Sequence, residues 1–400
     1  RRESSRMKPY IPYGRQNISS DDIKAVTDVL QSDWITQGDT GPRFEHELAA
    51  YCGADHAVAV NSATSALHIA CLALGLKSGD RLWTTPITFV ASANVGLYCG
   101  ASVDFVDIDE RTFNICPKKL ERRLERAKRD GQLPSVVIVV HLAGQPCEMD
   151  QILALKSKYG FHIIEDASHA LGATFQETRI GCCAHSDIAV FSFHPVKMIT
   201  TAEGGAATTN CPDLAQKMRL FRTHGITKNI AEMENEPEGD WYYEQRLLGF
   251  NYRMSDVQAA LGLSQLNRLD HFLTERRSQA ARYDKWLQIA GVKTPWQLPG
   301  TESSWHLYII TLASLISRDQ HRKIFSRLRA SGIGVGLHYI PVYRHPLYQR
   351  INARWPQDCP AAERYYETAI SLPIFPSLEE DSQRRVVEAL TQAVEQETPA

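Results

Sequence analysis

The chain has 400 residues, a formal charge of −2, a hydrophobic fraction of 43% and a charged fraction of 22%. This length can bury a large core and predicts two domains. The balanced charge gives no electrostatic reason to bind nucleic acid or an anionic membrane, and no apolar run reaches the roughly 18 residues that span a bilayer.

The N-terminus and the cysteines narrow the class of protein further. No apolar segment follows the opening RRESSR, so we expect it to be vector-derived sequence ahead of Met7 and not a signal peptide. The nine cysteines are scattered, Cys182 and Cys183 are adjacent, and no paired CxxC spacing occurs. This pattern indicates reduced thiols in a cytoplasmic protein, with neither a disulfide framework nor a metal site.

The first predicted element is a helix in ISSDDIKAVTDVLQSDW. Ser19 or Ser20 can cap it, and acidic residues occupy its first turn. The following ITQGDTG predicts a polar loop. Four apolar residues of the helix fall on one face: Ile23, Val26, Val29 and Leu30.

Short apolar runs alternate with helix-like segments from Ala57 onward: AVAV, VDFVDI, SVVIVV, HIIED and DIAVFSF. Continuous apolar strands separated by helices predict an α/β fold whose mostly parallel sheet is covered on both faces. Ligands bind such sheets beyond the carboxyl ends of the strands. Polar residues lie at these ends in segments 61–64, 165–166 and 192–197.

The rest of the chain predicts a second unit. An insertion of acids and aromatics at 226–246, after His224, is either a lid over the substrate or a plain exposed loop. MSDVQAALGLSQLNRLDHFLTERRSQAARYDKWLQIAG predicts one long or broken helix, WHLYIITL and GIGVGLHYI predict strands, and RRVVEALTQAVEQ predicts a closing helix. We divide the chain into an N-terminal segment, a large domain and a small C-terminal domain: residues 1–20, 21–265 and 266–400.

Lys197 follows the apolar run DIAVFSF within FSFHPVKMITTAEGG. A lysine at the end of a buried strand loses hydration, which lowers its pKa and leaves a nucleophilic amine that forms Schiff bases. A lysine that simply reaches solvent is the alternative. Gly204 and Gly205 allow the next stretch of backbone to pass close to neighbouring strands or to a ligand. His194 and Pro195 shape the turn before the lysine and are given no chemical role.

Asp166 follows a strand in IIEDASHA, about one strand–helix–strand unit before Lys197. A carboxylate there can keep a pyridinium nitrogen protonated, which makes a pyridoxal ring an electron sink. The alternative is an aspartate that caps the next helix.

Two further segments fit a cofactor with a phosphate and a planar ring. In NSATSALHIA, free N–H groups at a helix N-terminus and the hydroxyls of Ser62, Thr64 and Ser65 suit a phosphate, although a simple helix cap is the alternative. In TTPITFVASAN, Phe89 can stack on a planar ring or pack in the core.

Together these segments resemble a pyridoxal 5'-phosphate (PLP) enzyme of fold type I. From about Ile11 to Leu390 the chain resembles the sugar aminotransferases of the DegT/DnrJ/EryC1/StrS family. The resemblance rests on TQGDTGPRFEHELAAYCG, NSATSALHIA, EDASHALGA, FSFHPVKMITTAEGG and LGFNYRMSDVQAALG. It implies an aspartate aminotransferase-like fold, with a large domain on a mostly parallel mixed sheet and a smaller C-terminal α/β domain. Within the family, the chain most resembles the type that makes UDP-4-amino-4,6-dideoxy-N-acetyl-β-L-altrosamine on the route to pseudaminic acid.

The resemblance implies a role for each matching residue. Lys197 is the Schiff-base lysine, Asp166 is the partner of the ring nitrogen, and His169 lies near the ring hydroxyl. The other cofactor contacts are the phosphate-binding Ser62, Ala63, Thr64 and Ser192, the stacking Phe89, and Asn251, which reaches the partner subunit's phosphate. The substrate-side residues are Tyr13, Trp34, Ile35, Thr36, Leu337, His338 and Tyr339, to which we add His224 from its position before the insertion. Trp34 departs from the family, in which this position is not reliably aromatic.

The implied activity moves an amino group from L-glutamate to the 4-keto carbon of a nucleotide-linked 4-keto-6-deoxy sugar. UDP-2-acetamido-2,6-dideoxy-β-L-arabino-hex-4-ulose is the expected acceptor, and a homodimer with shared active sites is the expected assembly. The alternatives are another nucleotide-sugar 4-aminotransferase, of the 4-amino-4-deoxy-L-arabinose or perosamine type, a PLP-dependent sugar dehydratase, and a non-catalytic binding protein of the same fold. Such dehydratases carry histidine in place of the lysine, so Lys197 argues against that alternative, and the complete set of cofactor residues argues against the binding protein.

Overall fold

A computed structural model describes residues 9–312 and 317–397. The expected vector-derived residues 1–6 lie outside this part of the chain. The described helices are α1 Ser20–Leu30, α2 Thr40–Cys52, α3 Ala63–Ala73, α4 Ala91–Tyr98, α5 Pro117–Arg129, α6 Met149–Tyr159, α7 Pro212–Arg222, α8 Asp256–Leu266, α9 Leu269–Trp286, α10 Arg318–Ala330, α11 Pro346–Gln349, α12 Trp355–Asp358, α13 Pro360–Thr368 and α14 Glu380–Glu397. The described strands are β1 His56–Val60, β2 Arg81–Thr84, β3 Ser102–Phe105, β4 Val136–Val140, β5 His162–Asp166, β6 Thr174–Phe175, β7 Thr178–Arg179, β8 Ile188–Ser192, β9 Gly205–Thr209, β10 Ile226–Thr227, β11 Glu244–Gln245, β12 Val292–Lys293, β13 Thr301–Glu302, β14 Tyr308–Leu312 and β15 Ala369–Leu372.

The central sheet has seven strands in the order β1-β9-β8-β5-β4-β2-β3. Strand β9 is antiparallel to both of its neighbours, and the other neighbouring pairs are parallel. The predicted mostly parallel sheet is therefore confirmed. Two of its strands are not marked by the apolar runs of the sequence, because β2 begins with an arginine and β9 consists only of glycine, alanine and threonine.

Successive residues of each strand pack on opposite faces of this sheet, as the pleat requires. Val58 and Val60 of β1 join a core with residues of α3, α4 and α7, whereas Ala57 and Ala59 join a second core with residues of α2, α5 and α8. Helices therefore cover both faces, and the carboxyl edge of the sheet stays open for the site.

Helix α1 begins as predicted, but its apolar face does not enter the core. Ser19 caps the helix in a capping box with Asp22. Ile23 is 61% exposed and Leu30 is 57% exposed. The buried member of α1 is the Asp22 carboxylate, which accepts hydrogen bonds from Ser264, Gln265 and Arg268: the distances are 2.6, 2.7 and 2.9 Å. Polar contacts to α8 and the residues after it therefore dock this helix.

The C-terminal part contains a small antiparallel sheet, in the order β12-β14-β15, packed on α9, α10 and α14. The predicted strand in WHLYIITL, the closing helix and the broken form of the long helix are confirmed as β14, α14 and the pair α8 and α9. The predicted strand in GIGVGLHYI is wrong, since this segment makes only isolated bridges at Ile333 and Gly336. Its backbone instead contacts the N-terminal segment, where the Gly334 N–H donates to the Ile11 carbonyl at 2.6 Å. The division at residues 265 and 266 stays a prediction.

Two connections differ from the predicted pattern and shape the site. The hairpin of β6 and β7, and no helix, links β5 to β8. Lys197 is not at a strand end, because β8 stops at Ser192 and a turn closes between the Lys197 N–H and the His194 carbonyl at 2.8 Å. The lysine thus stands on a loop that returns into β9. No helix in the described ranges is both long and apolar enough to cross a membrane.

Candidate active site

A cavity of about 300 Å³ opens beyond the carboxyl ends of β1, β5 and β8. The strand order explains why these three strand ends lie together, because β8 and β5 are neighbours and only β9 separates β8 from β1. Eleven of the predicted site residues line this cavity: Tyr13, Ser62, Ala63, Thr64, Phe89, Asp166, His169, Ser192, Lys197, His338 and Tyr339.

The turn from β1 into α3 has the geometry of a phosphate site. Ser62 is the N-cap residue, and its Oγ accepts the Ser65 N–H at 3.1 Å. The next two residues, Ala63 and Thr64, occupy the first helical positions, whose N–H groups have no partner within a helix. Gly205 of β9 passes directly against this turn, so that a Cβ there would lie 2.6 Å from the Ser62 carbonyl carbon. The glycine predicted after Lys197 is therefore required at position 205 because the phosphate turn leaves no room for a side chain there.

The Asp166 carboxylate is buried at the end of β5 and is held by two serines. Oδ2 accepts the Ser92 hydroxyl at 2.6 Å, and Oδ1 accepts the Ser168 hydroxyl at 2.6 Å and the Ser168 N–H at 3.2 Å. Residues 167–173 contain no helix, so the alternative role as a helix cap is wrong. Ser168 lies at the spacing of a local side-chain turn, which the sequence could have indicated. Ser92 comes from α4, and no local pattern indicates it.

The Lys197 amine faces the same cavity. Loss of hydration lowers its pKa to about 8, against the smaller opposing effect of the Asp166 charge. About a tenth of the amine is therefore neutral and nucleophilic at pH 7.

His169 presents a proton to the cavity from a fixed tautomer. Its Nδ1 accepts the Ala143 N–H at 3.2 Å, so this nitrogen carries no proton. Burial, reinforced by the neighbouring Lys197, lowers the pKa of His169 well below its usual value and keeps the ring neutral. The ring proton therefore resides on Nε2, which donates to the Tyr339 hydroxyl at 3.0 Å.

Aromatic rings form the outer wall of the cavity. Phe89 is 58% exposed, so packing in the core is not its role, and its ring centre lies 6.2 Å from that of Tyr339. Tyr13 packs on His338 with ring centres 5.1 Å apart. His338 is in turn 2.8 Å from the Ser371 hydroxyl, and burial lowers its pKa to about 4.

The remaining predicted residues lie away from this cavity. Leu337 lines a separate surface cavity beside α10. In the insertion, the Glu244 carboxylate accepts the N–H groups of Glu234 and Asn235, so this acid orders its own loop. No cluster of three or more metal-binding side chains occurs in the part of the chain that the structure describes. Five predicted site residues are exposed on the surface: Trp34, Ile35, Thr36, His224 and Asn251.

Comparison with known proteins decides the family. Residues 16–391 match the profile of the DegT/DnrJ/EryC1/StrS aminotransferase family. The chain belongs to this family. The predicted α/β fold, enzyme class and PLP cofactor are thereby confirmed, while the roles of individual residues stay predictions.

Several relatives match the chain over almost its whole length. A Campylobacter jejuni UDP-4-amino-4,6-dideoxy-N-acetyl-β-L-altrosamine transaminase is 40% identical over 91% of this chain and 92% of its own. The Bacillus subtilis spore coat polysaccharide biosynthesis protein SpsC is 38% identical over 96% and 97%. Among solved structures, Helicobacter pylori PseC, an aminotransferase involved in the biosynthesis of pseudoaminic acid, superposes with a TM-score of 0.89 at 33% identity, covering 97% of this chain and all of that one. The sugar aminotransferase Spr1654 of Streptococcus pneumoniae, in its PLP form, gives a TM-score of 0.87 at 28% identity over 97% and 100%.

The lowered pKa of Lys197 can be measured without cofactor. Competitive acetylation of the apoprotein across pH should show Lys197 gaining reactivity with a midpoint near pH 8, because the amine is protonated and unreactive below its pKa. Asp166→Asn removes the charge that raises this pKa, so its midpoint should fall further. Ser168→Ala, which keeps the Asp166 charge, is the matched control. A Lys197 midpoint at the ordinary lysine value of 10.5 would contradict the desolvated site.

Proposed function

We propose that this chain transfers the amino group of L-glutamate to the 4-keto carbon of a nucleotide-linked 4-keto-6-deoxy sugar in the cytoplasm. The proposed acceptor is UDP-2-acetamido-2,6-dideoxy-β-L-arabino-hex-4-ulose, in pseudaminic acid biosynthesis. The observation that carries the proposal is a single cavity that contains a nucleophilic lysine, a buried carboxylate and a helix N-terminus, in a chain of the sugar aminotransferase family.

The residues of the cavity fit PLP. The α3 N-terminus at Ser62, Ala63 and Thr64 would hold the phosphate, and Gly205 supplies the clearance that this turn needs. Asp166, buried and bonded to two serine hydroxyls, would hold the ring nitrogen. Lys197 would bind the aldehyde carbon. When bound, the cofactor supplies an electron sink for the carbon that gives up or takes the amino group.

The chain's own residues then move one proton and orient the reactants. After the amine of the donor replaces it on the aldehyde carbon, the freed Lys197 Nζ would accept the proton from the donor carbon that carries the amino group and would return it to the former aldehyde carbon. Asp166 maintains its charge beside the ring nitrogen, since both serine donors stabilise the ionised carboxylate. His169 directs its Nε2 proton to the Tyr339 hydroxyl, which also lines the cavity, and Phe89, Tyr13 and His338 complete the lining with rings that can orient the reactants.

The relatives support the choice of acceptor. The Campylobacter jejuni transaminase and Helicobacter pylori PseC both carry names from this sugar chemistry. SpsC, named for spore coat polysaccharide biosynthesis, is 38% identical over a larger share of the chain and supports the alternative of another nucleotide-sugar 4-aminotransferase. The retained Lys197 favours either of these over a dehydratase.

A panel of acceptors tests the proposed substrate. Purified enzyme with L-glutamate should aminate the UDP-linked 2-acetamido-2,6-dideoxy-4-keto sugar at carbon four, with a kcat/KM at least about tenfold above that for dTDP- or GDP-4-keto sugars, a difference of about 1.4 kcal/mol. The measurement is mass spectrometry of the product, and Lys197→Ala gives the background rate. A strong preference for a dTDP- or GDP-linked sugar would contradict the acceptor and leave the aminotransferase activity intact.

We also propose that the working unit is a homodimer whose subunits complete each other's sites. Asn251 is exposed and does not line the cavity of its own chain. The carbonyl oxygen of its neighbour Tyr252 accepts the Asn61 N–H at 2.9 Å. The segment that contains Asn251 therefore lies beside the phosphate turn of its own chain. Large apolar side chains elsewhere on the surface offer area for a partner: Ile23, Leu30, Trp34 and Leu248 are 57–81% exposed.

Mixed dimers test the shared sites. A Lys197→Ala chain and an Asn251→Ala chain are each expected to be defective alone, the latter because a hydrogen bond to a charged phosphate contributes roughly 1.5–3 kcal/mol. If Asn251 acts across the interface, the heterodimer has one site with both lesions and one intact site, so activity should recover to about half of the wild-type value. Heterodimers of the two chains, isolated with two different tags, provide the measurement. No recovery in a proven heterodimer would place Asn251 in its own subunit's site.

A further inference from the structure

Arg276 of α9 is a completely buried cation that the reaction does not use. Its Nη1 lies 3.1, 3.2 and 3.0 Å from three carbonyl oxygens, those of Trp305, His306 and Ile374. Its Nε has no partner among the described residues, and no acid in that part of the chain forms an ion pair with it. Burial lowers its pKa to about 10, so the guanidinium is still charged near neutral pH. A buried charge without a counter-ion is costly, so its contacts need an explanation.

The first two carbonyls belong to residues 303–307, here called the clamp segment, which leads into β14. Through this segment Arg276 is connected to His169. The Ser304 hydroxyl donates to the His169 carbonyl at 2.6 Å, and the Leu307 N–H donates to the Ala143 carbonyl at 3.3 Å. The N–H of that same Ala143 fixes the His169 tautomer.

The clamp segment also packs against the His169 ring. The imidazole of His306 lies 4.3 Å from that of His169, centre to centre, and is buried. The fit is tight, since a Cβ on Gly144 would lie 3.0 Å from the His169 carbonyl oxygen and 3.1 Å from the Trp305 nitrogen. A shift of the clamp segment would therefore move His169 as well.

The third carbonyl connects Arg276 to a second part of the cavity wall. The N–H of Ile374 donates to the Tyr13 carbonyl at 3.1 Å, and Tyr13 packs on His338. One guanidinium thus joins two backbone segments that are distant in the chain, and each segment contacts a residue that lines the cavity.

We propose that Arg276 is a positioning residue for the cofactor site, which acts on His169 through the clamp segment and on Tyr13 through Ile374. The guanidinium suits this role because a single nitrogen, Nη1, meets all three carbonyl oxygens, and the planar group holds the two N–H bonds of that nitrogen in a fixed direction. An apolar residue of the same size would fill the space without holding the carbonyls. The role concerns the cofactor cavity and does not depend on which sugar is the acceptor.

Cofactor binding to the full-length apoprotein tests this role. Arg276→Met keeps the volume and removes the donors, so the Kd for PLP should rise at least about tenfold and the absorbance spectrum of the bound cofactor should shift. Arg276→Lys keeps the charge and part of the bonding, so its Kd should fall between the two. Arg123→Met is the matched control, because that half-buried arginine bonds to Phe105 and Asp104 away from the cavity. A folded Arg276→Met with the wild-type Kd and spectrum would overturn the proposal.

A milder pair of variants decides the matter if Arg276→Met does not fold. Ser304→Ala removes only the bond from the clamp segment to the His169 carbonyl. Ser303→Ala removes a local contact, since the Ser303 Oγ accepts the Trp305 N–H at 3.0 Å. With similar melting temperatures for both, Ser304→Ala should weaken PLP binding severalfold more than Ser303→Ala and shift the cofactor spectrum. Equal Kd values and unchanged spectra for the two variants would overturn the transmission through the clamp segment.

Discussion

The site depends on burying a carboxylate and an amine together where little water reaches them. Asp166 stays buried because Ser92 and Ser168 supply three hydrogen bonds to its two oxygens, and such bonds offset the cost of removing an ion from water. Among the described residues Lys197 has no hydrogen-bond acceptor that would replace water around its ammonium group, so its pKa falls to about 8. One environment thus yields a fixed negative charge and a reactive amine, which transamination on a pyridine ring requires together.

The order of the strands brings these groups into one cavity. Close packing of the backbone then restricts which residues and which tautomers fit around it. β5 and β8 are neighbours, so the segments that follow them share the carboxyl edge. The antiparallel β9 returns between β8 and β1 and meets the phosphate turn at Gly205, where a Cβ would clash with the Ser62 carbonyl carbon. In the wall of the cavity, His169 is neutral because it is buried near Lys197, and its Nδ1 carries no proton because it accepts the Ala143 N–H. Each of these features fixes the relative positions of the groups that line the cavity.

Much of this arrangement could be predicted from the sequence, because it follows from local patterns. Apolar runs mark most strands of the central sheet, and polar residues directly after them mark the cavity. The patterns fail where a contact is made by residues distant in the chain. The contact of Ser92 with Asp166 and the contact of Arg276 with Ile374 have no local signal in the sequence. β9 lacks the large side chains of a typical strand, and GIGVGLHYI makes only isolated bridges, one to Ile11 and one to Ser371 of β15. The apolar pattern of α1 correctly predicts that the helix has one apolar face, but it does not predict what packs against that face. Ile23 and Leu30 on this face are exposed in the single chain.

The central claim is that this cavity binds its cofactor covalently through Lys197. Reduction of the PLP-loaded enzyme with borohydride would make that bond permanent, and mass spectrometry of the resulting peptides would locate it. We expect a reduced phosphopyridoxyl group on Lys197 alone, with no labelling at this position in Lys197→Arg. Labelling of a different lysine in the wild-type enzyme, with Lys197 unmodified, would contradict the assignment of the cavity and of every role derived from it.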